Sequence, residues 1–435
     1  MTTVVLLGTL DTKGEECAWL RARLTAHGVD VLLVDTGVAG RPRTEADIAR
    51  AVVAAAAGDD LERLRAEADR GAAVTVMGTG AAAVVTQLYE EGRLDGVLAV
   101  GGSGGASIAG RAVRDLPVGV PKLIVSSMAG GDVSPYVGGS DVAMLHSVVD
   151  IAGVNRLSAP VFANAAAGIA GMAKDFAARG RTVGGTVPQG TSPHEGRPLI
   201  AASMAGVTTP GVDAARARLD ALGYEVLVFH TSGAGGRALE SLAERGLFAG
   251  VLDLTPCELA DDLVGGVLTA GPDRLEAAGL AGIPQVVSVG ALDMVKFGPL
   301  ATLPDRFRDR HVRVHNPSVT VIRTTPEEVG ELGRRIGGKL RAALGPAALC
   351  LPLLGMSTLG APADGPAPAG PYHDPETDAV LFAALRDTLR GSAVEIHELP
   401  THINDPAFGR AAADHLHRLI VDRSGTRLTN AGSGA

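Results

Sequence analysis

TVVLLGTLDTKGEECAWLRARLTAHGVDVLLVDTG, residues 3–37, is the stretch that decides the fold. Val4 to Leu7 is an uninterrupted apolar run that stops at Gly8, the pattern of a strand covered on both faces. From Glu15 to His27, Cys17, Leu20 and Leu24 recur at helical spacing, and Gly28 ends that helix. VDVLLVDTG, residues 29–37, is then a second strand. Strand, polar turn, helix, glycine, strand is the repeating unit of a parallel sheet. Open parallel sheets carry ligands beyond the carboxyl ends of their strands, which sets GTLDTKG, residues 8–14, at a candidate binding edge. Two readings of this turn stand side by side. Lys13 is a point charge for a phosphate and Asp11 a partner for a ribose hydroxyl or magnesium, with Thr9 beside them. Equally, Asp11 or Thr12 caps the following helix and Lys13 stays in solvent.

The alternation continues along the chain. Residues 44–57 and 59–70 read as helices. AAVTVMGTGAAAVVTQLYEEGRL, residues 72–94, is ambiguous, because VTVMGTG could be a strand entering a glycine loop. Met77, Ala81, Val84, Val85 and Leu88 share one helical stripe, so the favoured reading is a helix in which Gly78 and Gly80 are packing glycines. Strands follow at 97–100 and within 122–132, then a helix at 159–178. A second series begins near Pro198. LIAASMAGVTTPG, a helix at 212–221 and LGYEVLVFHTSGAGG repeat the order and lengths of the first unit. Further strands are expected at 250–255, 285–290, 318–324, 348–354 and 393–399.

The resulting expectation is an α/β chain of two Rossmann-like three-layer domains, with mostly parallel sheets and a cleft between them. The domains are set at residues 1–190 and 191–435, with the linker within VPQGTSPHEGRP, 187–198. The proline- and glycine-rich stretch 361–371 reads as an exposed loop or lid.

Length agrees, since 435 residues exceed what one core normally organises. Lys+Arg 39 against Asp+Glu 48 gives a formal charge of -9, which argues against non-specific nucleic-acid binding. The three cysteines are odd in number and far apart, so neither a disulfide framework nor a cysteine metal site is indicated. The first residues lack the basic segment and cleavage site of a signal peptide. No stretch reaches 18 uninterrupted apolar residues. The expectation is a cytoplasmic protein that meets neither nucleic acid nor membrane.

Several strand ends carry chemistry. GGSGG (Gly101, Gly102, Ser103, Gly104, Gly105) lies between a strand and a helix expected from Ser107. Its backbone N–H groups make a phosphate nest, or the glycines merely allow close packing. SGAGG, 232–236, offers the same alternatives. Neither matches a Walker A loop or a full dinucleotide fingerprint. Ser126, Ser127, Gly130, Gly131 and Asp132 form a third cluster, suited to phosphate or ribose or else to a helix cap and a turn. In the second half, Glu258 follows LTPC, Asp293 and Lys296 lie in VSVGALDMVKFG, and THINDPAFG presents His402, Asn404 and Asp405. Glu258, Lys296, His315, His402 and Asp405 are the candidates for catalytic acid, base or substrate contacts. His311 and His315 point the same way on either a helix or a strand, but a third metal ligand is missing. A serine-hydrolase elbow is absent.

Taken together, GTLDTKGEE, GGSGG, SSMAGGDVSPYVG and GTVPQGTSPHEGRP resemble a known family, and the resemblance runs on through VGALDMVKFGP and LPTHINDPAFG. It is the ATP-binding domain family typified by the N-terminal inhibitory domain of a tomato mosaic virus resistance protein. Where this chain has VSSMAGGD, members often carry an S-T-V-A-S-G type of sequence; the glycines and hydroxyls survive. The resemblance implies two α/β subdomains, ATP in or beside their cleft, and a homodimer or higher homo-oligomer. It implies nucleotide contacts from Thr9, Asp11, Lys13, the GGSGG turn and the Ser126–Asp132 cluster. Magnesium is expected because it accompanies ATP. The function this implies is an ATP-binding protein that uses the nucleotide on an unidentified small metabolite. A nucleotide-controlled binding protein without catalysis, and a transferase or ligase acting on a carboxylated metabolite, are the alternatives.

Overall fold

A computed structural model describes residues 1–180, 196–363 and 368–431, with side chains through residue 423. Most of the expected linker, including His194, lies outside the described residues. The chain divides into two compact units, residues 1–193 and 194–435.

Unit 1 runs β1 (Thr3–Gly8), α1 (Leu10–Ala26), β2 (Asp30–Asp35), α2 (Arg50–Ala56), α3 (Leu61–Glu67), α4 (Arg70–Glu90) and β3 (Gly96–Val100). It continues with α5 (Ser103–Val113), β4 (Lys122–Ser126), α6 (Ser134–Val137), β5 (Ala143–His146) and α7 (Ser158–Arg179). The five strands form one parallel sheet in the order β2-β1-β3-β4-β5. Successive side chains of a strand point to opposite faces, and both faces are apolar here. Val5, Leu7, Val97 and Ala99 pack with Met77, Val85 and Ile108 of α4 and α5. Val4, Leu6, Leu98 and Val100 pack with Leu20, Leu24, Phe162 and Ile169 of α1 and α7. That makes three layers and explains why TVVLLG carries no polar alternation.

The ambiguous segment is helix α4. A Cβ on Gly80 would stand 1.8 Å from the Val53 carbonyl oxygen, and one on Gly78 would stand 3.3 Å from Arg111 Cβ, so these are packing glycines. By length and composition α4 is apolar enough to cross a membrane, but half of it is buried in unit 1. The expected helix at 44–57 is confined to α2, and the one at 59–70 to α3.

Unit 2 runs β6 (Leu199–Met204), α8 (Thr209–Ala221), β7 (Glu225–His230), α9 (Ala234–Glu244), β8 (Gly250–Asp253), α10 (Glu258–Val264), α11 (Ala277–Leu280), β9 (Gln285–Val287) and β10 (Met294–Phe297). There follow β11 (Val312–Asn316), β12 (Val319–Arg323), α12 (Pro326–Arg341), β13 (Ala347–Pro352), α13 (Pro375–Leu389), β14 (Glu395–Leu399) and α14 (Pro406–Ala431). Its six-stranded parallel sheet has the order β14-β13-β9-β8-β6-β7. Read from its first strand, this is the unit 1 order with one strand added at the far edge. The two halves therefore share a doubly wound topology, and in each the order reverses between the first and third strands. That switch point is where such sheets open a crevice for ligands. A separate antiparallel sheet, β10-β12-β11, is an addition of unit 2.

Candidate functional site

The switch point of unit 1 lies between β1 and β3, so GTLDTKG and GGSGG flank it. The first of these turns ties the neighbouring loops together. The Thr9 carbonyl accepts N–H bonds from Thr12 and Lys13 at 3.0 and 2.7 Å. Leu10 N donates to Asp35 Oδ1 at 3.1 Å. Asp11 Oδ2 accepts from Ala39 N and Gly40 N at 3.0 and 3.1 Å, which holds the loop after β2. Its Oδ1 is buried against Gly37 and has no hydrogen-bond partner among the described residues. Lys13 Nζ donates to the Ile151 carbonyl, and Glu16 Oε1 accepts from Gly153 N at 2.7 Å. Both charged side chains of the turn thus engage flanking loops. Lys13 would have to release Ile151 to reach a phosphate.

GGSGG is built differently. A Cβ on Gly101 would stand 2.8 Å from Gly105 Cα, so only glycine fits this reversal. Gly102 is the N-cap, with extended backbone and no capping side chain, and α5 begins at Ser103, four residues before the expected start. Ala106 N is the first amide to bond back, to the Gly102 carbonyl at 2.8 Å. The N–H groups of Ser103, Gly104 and Gly105 have no intrahelical acceptor, and they sit at the positive end of the helix. Ser127 Oγ would lie 3.9 Å from a Cβ on Gly102, and Arg70 Nη2 would lie 3.6 Å from one on Gly104.

Arg70 is the residue that sequence reading missed. It is exposed at the first position of α4, where the helix dipole disfavours a cation. That local misfit is the signal that could have found it. It brings a guanidinium beside free amides and a hydroxyl, which is the chemistry of a phosphate site.

The Ser126–Asp132 cluster divides. Ser126 Oγ accepts from Met128 N at 3.1 Å and Asp132 Oδ1 accepts from Ser134 N at 2.9 Å, so both shape turns. Ser127, Gly130 and Gly131 remain on the rim. A Cβ on Gly130 would stand 3.0 Å from Nε2 of His146, a second residue the sequence did not single out.

In unit 2 the nominated side chains, His315 excepted, are held in structural contacts. Glu258 is fully buried; its Oε1 accepts from Gly233 N and Gly236 N at 2.7 and 3.1 Å, and its Oε2 from Arg274 Nε at 2.7 Å. The amides of SGAGG are therefore already engaged by an anion from the same chain. Arg274 is itself buried and also bonds Asp253 through both terminal nitrogens and Glu240 at 3.0 Å. Burial pushes the Glu240 carboxyl above its ordinary range, with Arg274 pulling the other way. Lys296 Nζ bonds Asp261 Oδ2 at 3.2 Å.

The His402 ring uses both nitrogens. Nδ1 accepts from Asn404 N at 3.1 Å, which leaves Nε2–H to donate to the Ser357 carbonyl at 2.9 Å. Burial lowers its pKa, so the ring is neutral near pH 7. Asp405 Oδ1 accepts from Ala407 N at 2.7 Å, capping α14. His315 is exposed at a β-bulge of β11, with β12 between it and β10, the strand of Lys296. Glu258 opens α10 and Lys296 bonds Asp261 of the same helix, and His402 and Asp405 share a corner, but the five do not converge. Among the described residues no cluster of three or more His, Cys, Asp or Glu side chains could hold a metal ion. Cys17, Cys257 and Cys350 are free and buried, and burial raises each thiol pKa.

Comparison with known proteins assigns the chain to a family. Residues 2–178 match the N-terminal domain, and residues 197–420 the C-terminal domain, of the uncharacterised protein family UPF0261. A UPF0261 protein of Clostridium tetani is 45% identical over 417 residues, covering 96% of this chain and 98% of that protein. One from Rhizobium meliloti is 42% identical over 413 residues, covering 95% and 98%. The ToMV resistance protein Tm-1(GCR237) of Solanum lycopersicum is 40% identical over 346 residues; the match covers 79% of this chain and 44% of the tomato protein. The chain belongs to the UPF0261 family.

Proposed function

We propose that this UPF0261 member binds a nucleoside triphosphate of the ATP class at the carboxyl edge of β1 and β3, with the phosphates on the amino end of α5. The observation that carries this reading is the set of Ser103, Gly104 and Gly105 amides without helical acceptors, beside Arg70 and Ser127. Amides at a helix start bind phosphate through both hydrogen bonds and the helix dipole, and a nearby guanidinium adds a charge-assisted partner. The motifs GTLDTKGEE, GGSGG and SSMAGGDVSPYVG, which resemble those of an ATP-binding family, support the same choice of ligand. Magnesium would arrive with the nucleotide, since that ion keeps several waters and needs only one or two protein carboxylates.

The reading is of a nucleotide-controlled binding protein rather than a transferase. Glu258, Lys296, His402 and Asp405 each hold a loop or a helix end, and His315 stands exposed apart from them, so the nominated residues do not assemble an acid–base pair for a second substrate. Titration calorimetry with ATP, ADP, adenosine and tripolyphosphate, with and without magnesium, tests it. Saturable binding of ATP and tripolyphosphate is expected. Ser103→Glu, which places a carboxylate over the same amides and suits the first turn of a helix, should weaken both at least about tenfold. Absence of any saturable signal overturns the proposal.

A further inference from the structure

A second feature of unit 1 lies beyond the phosphate crevice. Past the end of β2 is an open concavity of about 730 Å³, walled by Asp35, Arg43, Ala49, Arg50, Leu61 and Arg65 among others. Its wall is continuous with the β1 turn: Arg43 N donates to the Leu10 carbonyl at 2.9 Å, and a Cβ on Gly14 would stand 2.8 Å from Arg43 Cβ. Asp35 is 1% exposed. Its Oδ1 accepts from Leu10 N and Gly37 N, while its Oδ2 faces Arg50 Nε only at 3.9 Å, beyond hydrogen-bond length. One oxygen of a buried carboxylate is thus held in place by backbone, and the other is left to the concavity. Arg50 bonds the Gly40 carbonyl at 2.6 Å, and Arg65 is held by the Val38 carbonyl at 2.8 Å and by the Glu62 carboxylate. Fixed guanidinium planes stack on aromatic rings, and Leu61 adds an apolar surface.

Resting on the nucleotide reading, we infer that this concavity receives the ribonucleoside half of the ligand, with a ribose hydroxyl on Asp35 Oδ2 and the base against Leu61 and the Arg50 and Arg65 planes. The spacing suits this. β2, β1 and β3 are consecutive in the sheet, so the end of β2 stands two strand spacings from the GGSGG turn, about 10 Å. A nucleotide extended along the sheet edge crosses that interval between its phosphate tail and its ribose. An acidic side chain at the end of a second strand is also how doubly wound sheets hold ribose elsewhere. Binding here selects for a ribonucleoside, whereas the α5 amides would accept any polyphosphate.

The test compares tripolyphosphate, ATP and 2′-deoxy-ATP by calorimetry on the full chain, wild type and Ala49→Trp. Ala49 is exposed on the concavity wall, so the indole fills the space without entering the core. ATP should bind wild type at least about tenfold more tightly than 2′-deoxy-ATP, one hydrogen bond to a charged group being lost. In Ala49→Trp, ATP should fall to the affinity of tripolyphosphate, whose own binding stays unchanged. Asp35→Asn, which keeps an acceptor for the two backbone amides, should lose the ribose preference. If tripolyphosphate and ATP bind but 2′-deoxy-ATP matches ATP and Ala49→Trp has no effect, the concavity is not the nucleoside site and the phosphate site stands. If neither tripolyphosphate nor ATP binds wild type, both inferences fall.

Discussion

GGSGG in unit 1 and SGAGG in unit 2 look interchangeable as sequences, and each opens a helix at the carboxyl edge of a parallel sheet. They differ in what faces their amides. In unit 2 the Glu258 carboxylate accepts from Gly233 and Gly236 and is locked there by the buried Arg274. In unit 1 Gly102 caps α5 without a side chain, and the nearby groups are a hydroxyl and a guanidinium. The same backbone device is filled by the protein's own anion in unit 2 and, on the reading proposed above, left to an outside anion in unit 1. Glycine spacing reveals the nest, and the neighbours decide whether it is a site.

The largest way to break this comparison is Arg274→Met. It strands Asp253, Glu240 and Glu258 in the interior, and removing one partner of a buried ionic network costs about 3–5 kcal/mol. Urea unfolding should show a large fall in the stability of unit 2; an unchanged midpoint would contradict the locked-anion picture. Gly236→Ala against Gly104→Ala is the next contrast. A Cβ at 236 would stand 2.1 Å from Glu258 Oε2, and the nearest atom to one at 104 is 3.6 Å away. The first should cost about 1–3 kcal/mol, and the second should be neutral or stabilising by up to about 1 kcal/mol. Equal effects in thermal melts would erase the distinction. Arg70→Ala should weaken ATP about tenfold while leaving stability unchanged or slightly higher, because a cation leaves a helix start. Retained affinity in calorimetry would remove Arg70 from the site.

The smallest effect concerns pH. Burial depresses the His402 pKa below its ordinary 6.5. A base depressed in the folded state contributes stability that is present above pH 6.5 and lost as pH falls through the folded value. Unfolding midpoints should therefore decline on acidification below pH 6.5, and His402→Gln should flatten that decline. A variant with the wild-type profile would show that His402 is not the group responsible.

Much of the framework was legible because it is local. The apolar run of β1, the helical stripe of α4 and the echo of the first unit after Pro198 depend on periods of a few residues. GGSGG and GTLDTKG were placed correctly at one edge, since strand direction alone fixes which ends of a parallel sheet face together. The start of α5 was read four residues late because glycines argue against helix, and only the tight return at Gly101 shows that they begin one. The β10-β12-β11 sheet depends on antiparallel pairing that no local period reveals; β12 was expected as a strand at 318–324, but Lys296 of β10 was singled out only for its charge. Arg70 approaches Gly104 only through the packing of α4 on α5. Arg274 lies in GPDRLEAAG, a stretch not singled out from the sequence, and its burial is visible only once three carboxylates gather around it. Asp11 and Lys13 are the instructive pair. Their types suit a ligand, and in the folded chain their side chains hold neighbouring loops.

Those last contacts bear on how unit 1 is made. Lys13 and Glu16 reach partners 138 and 137 residues further along the chain. Long-range closure of this kind is entropically slow, and synthesis proceeds from the amino end at about 5–20 residues per second. The β1 turn must therefore wait about 7–28 s for Ile151 and Gly153 to be translated. The β1 turn is thus among the last parts of unit 1 to be fastened, and that edge of the sheet is completed only when most of the unit exists.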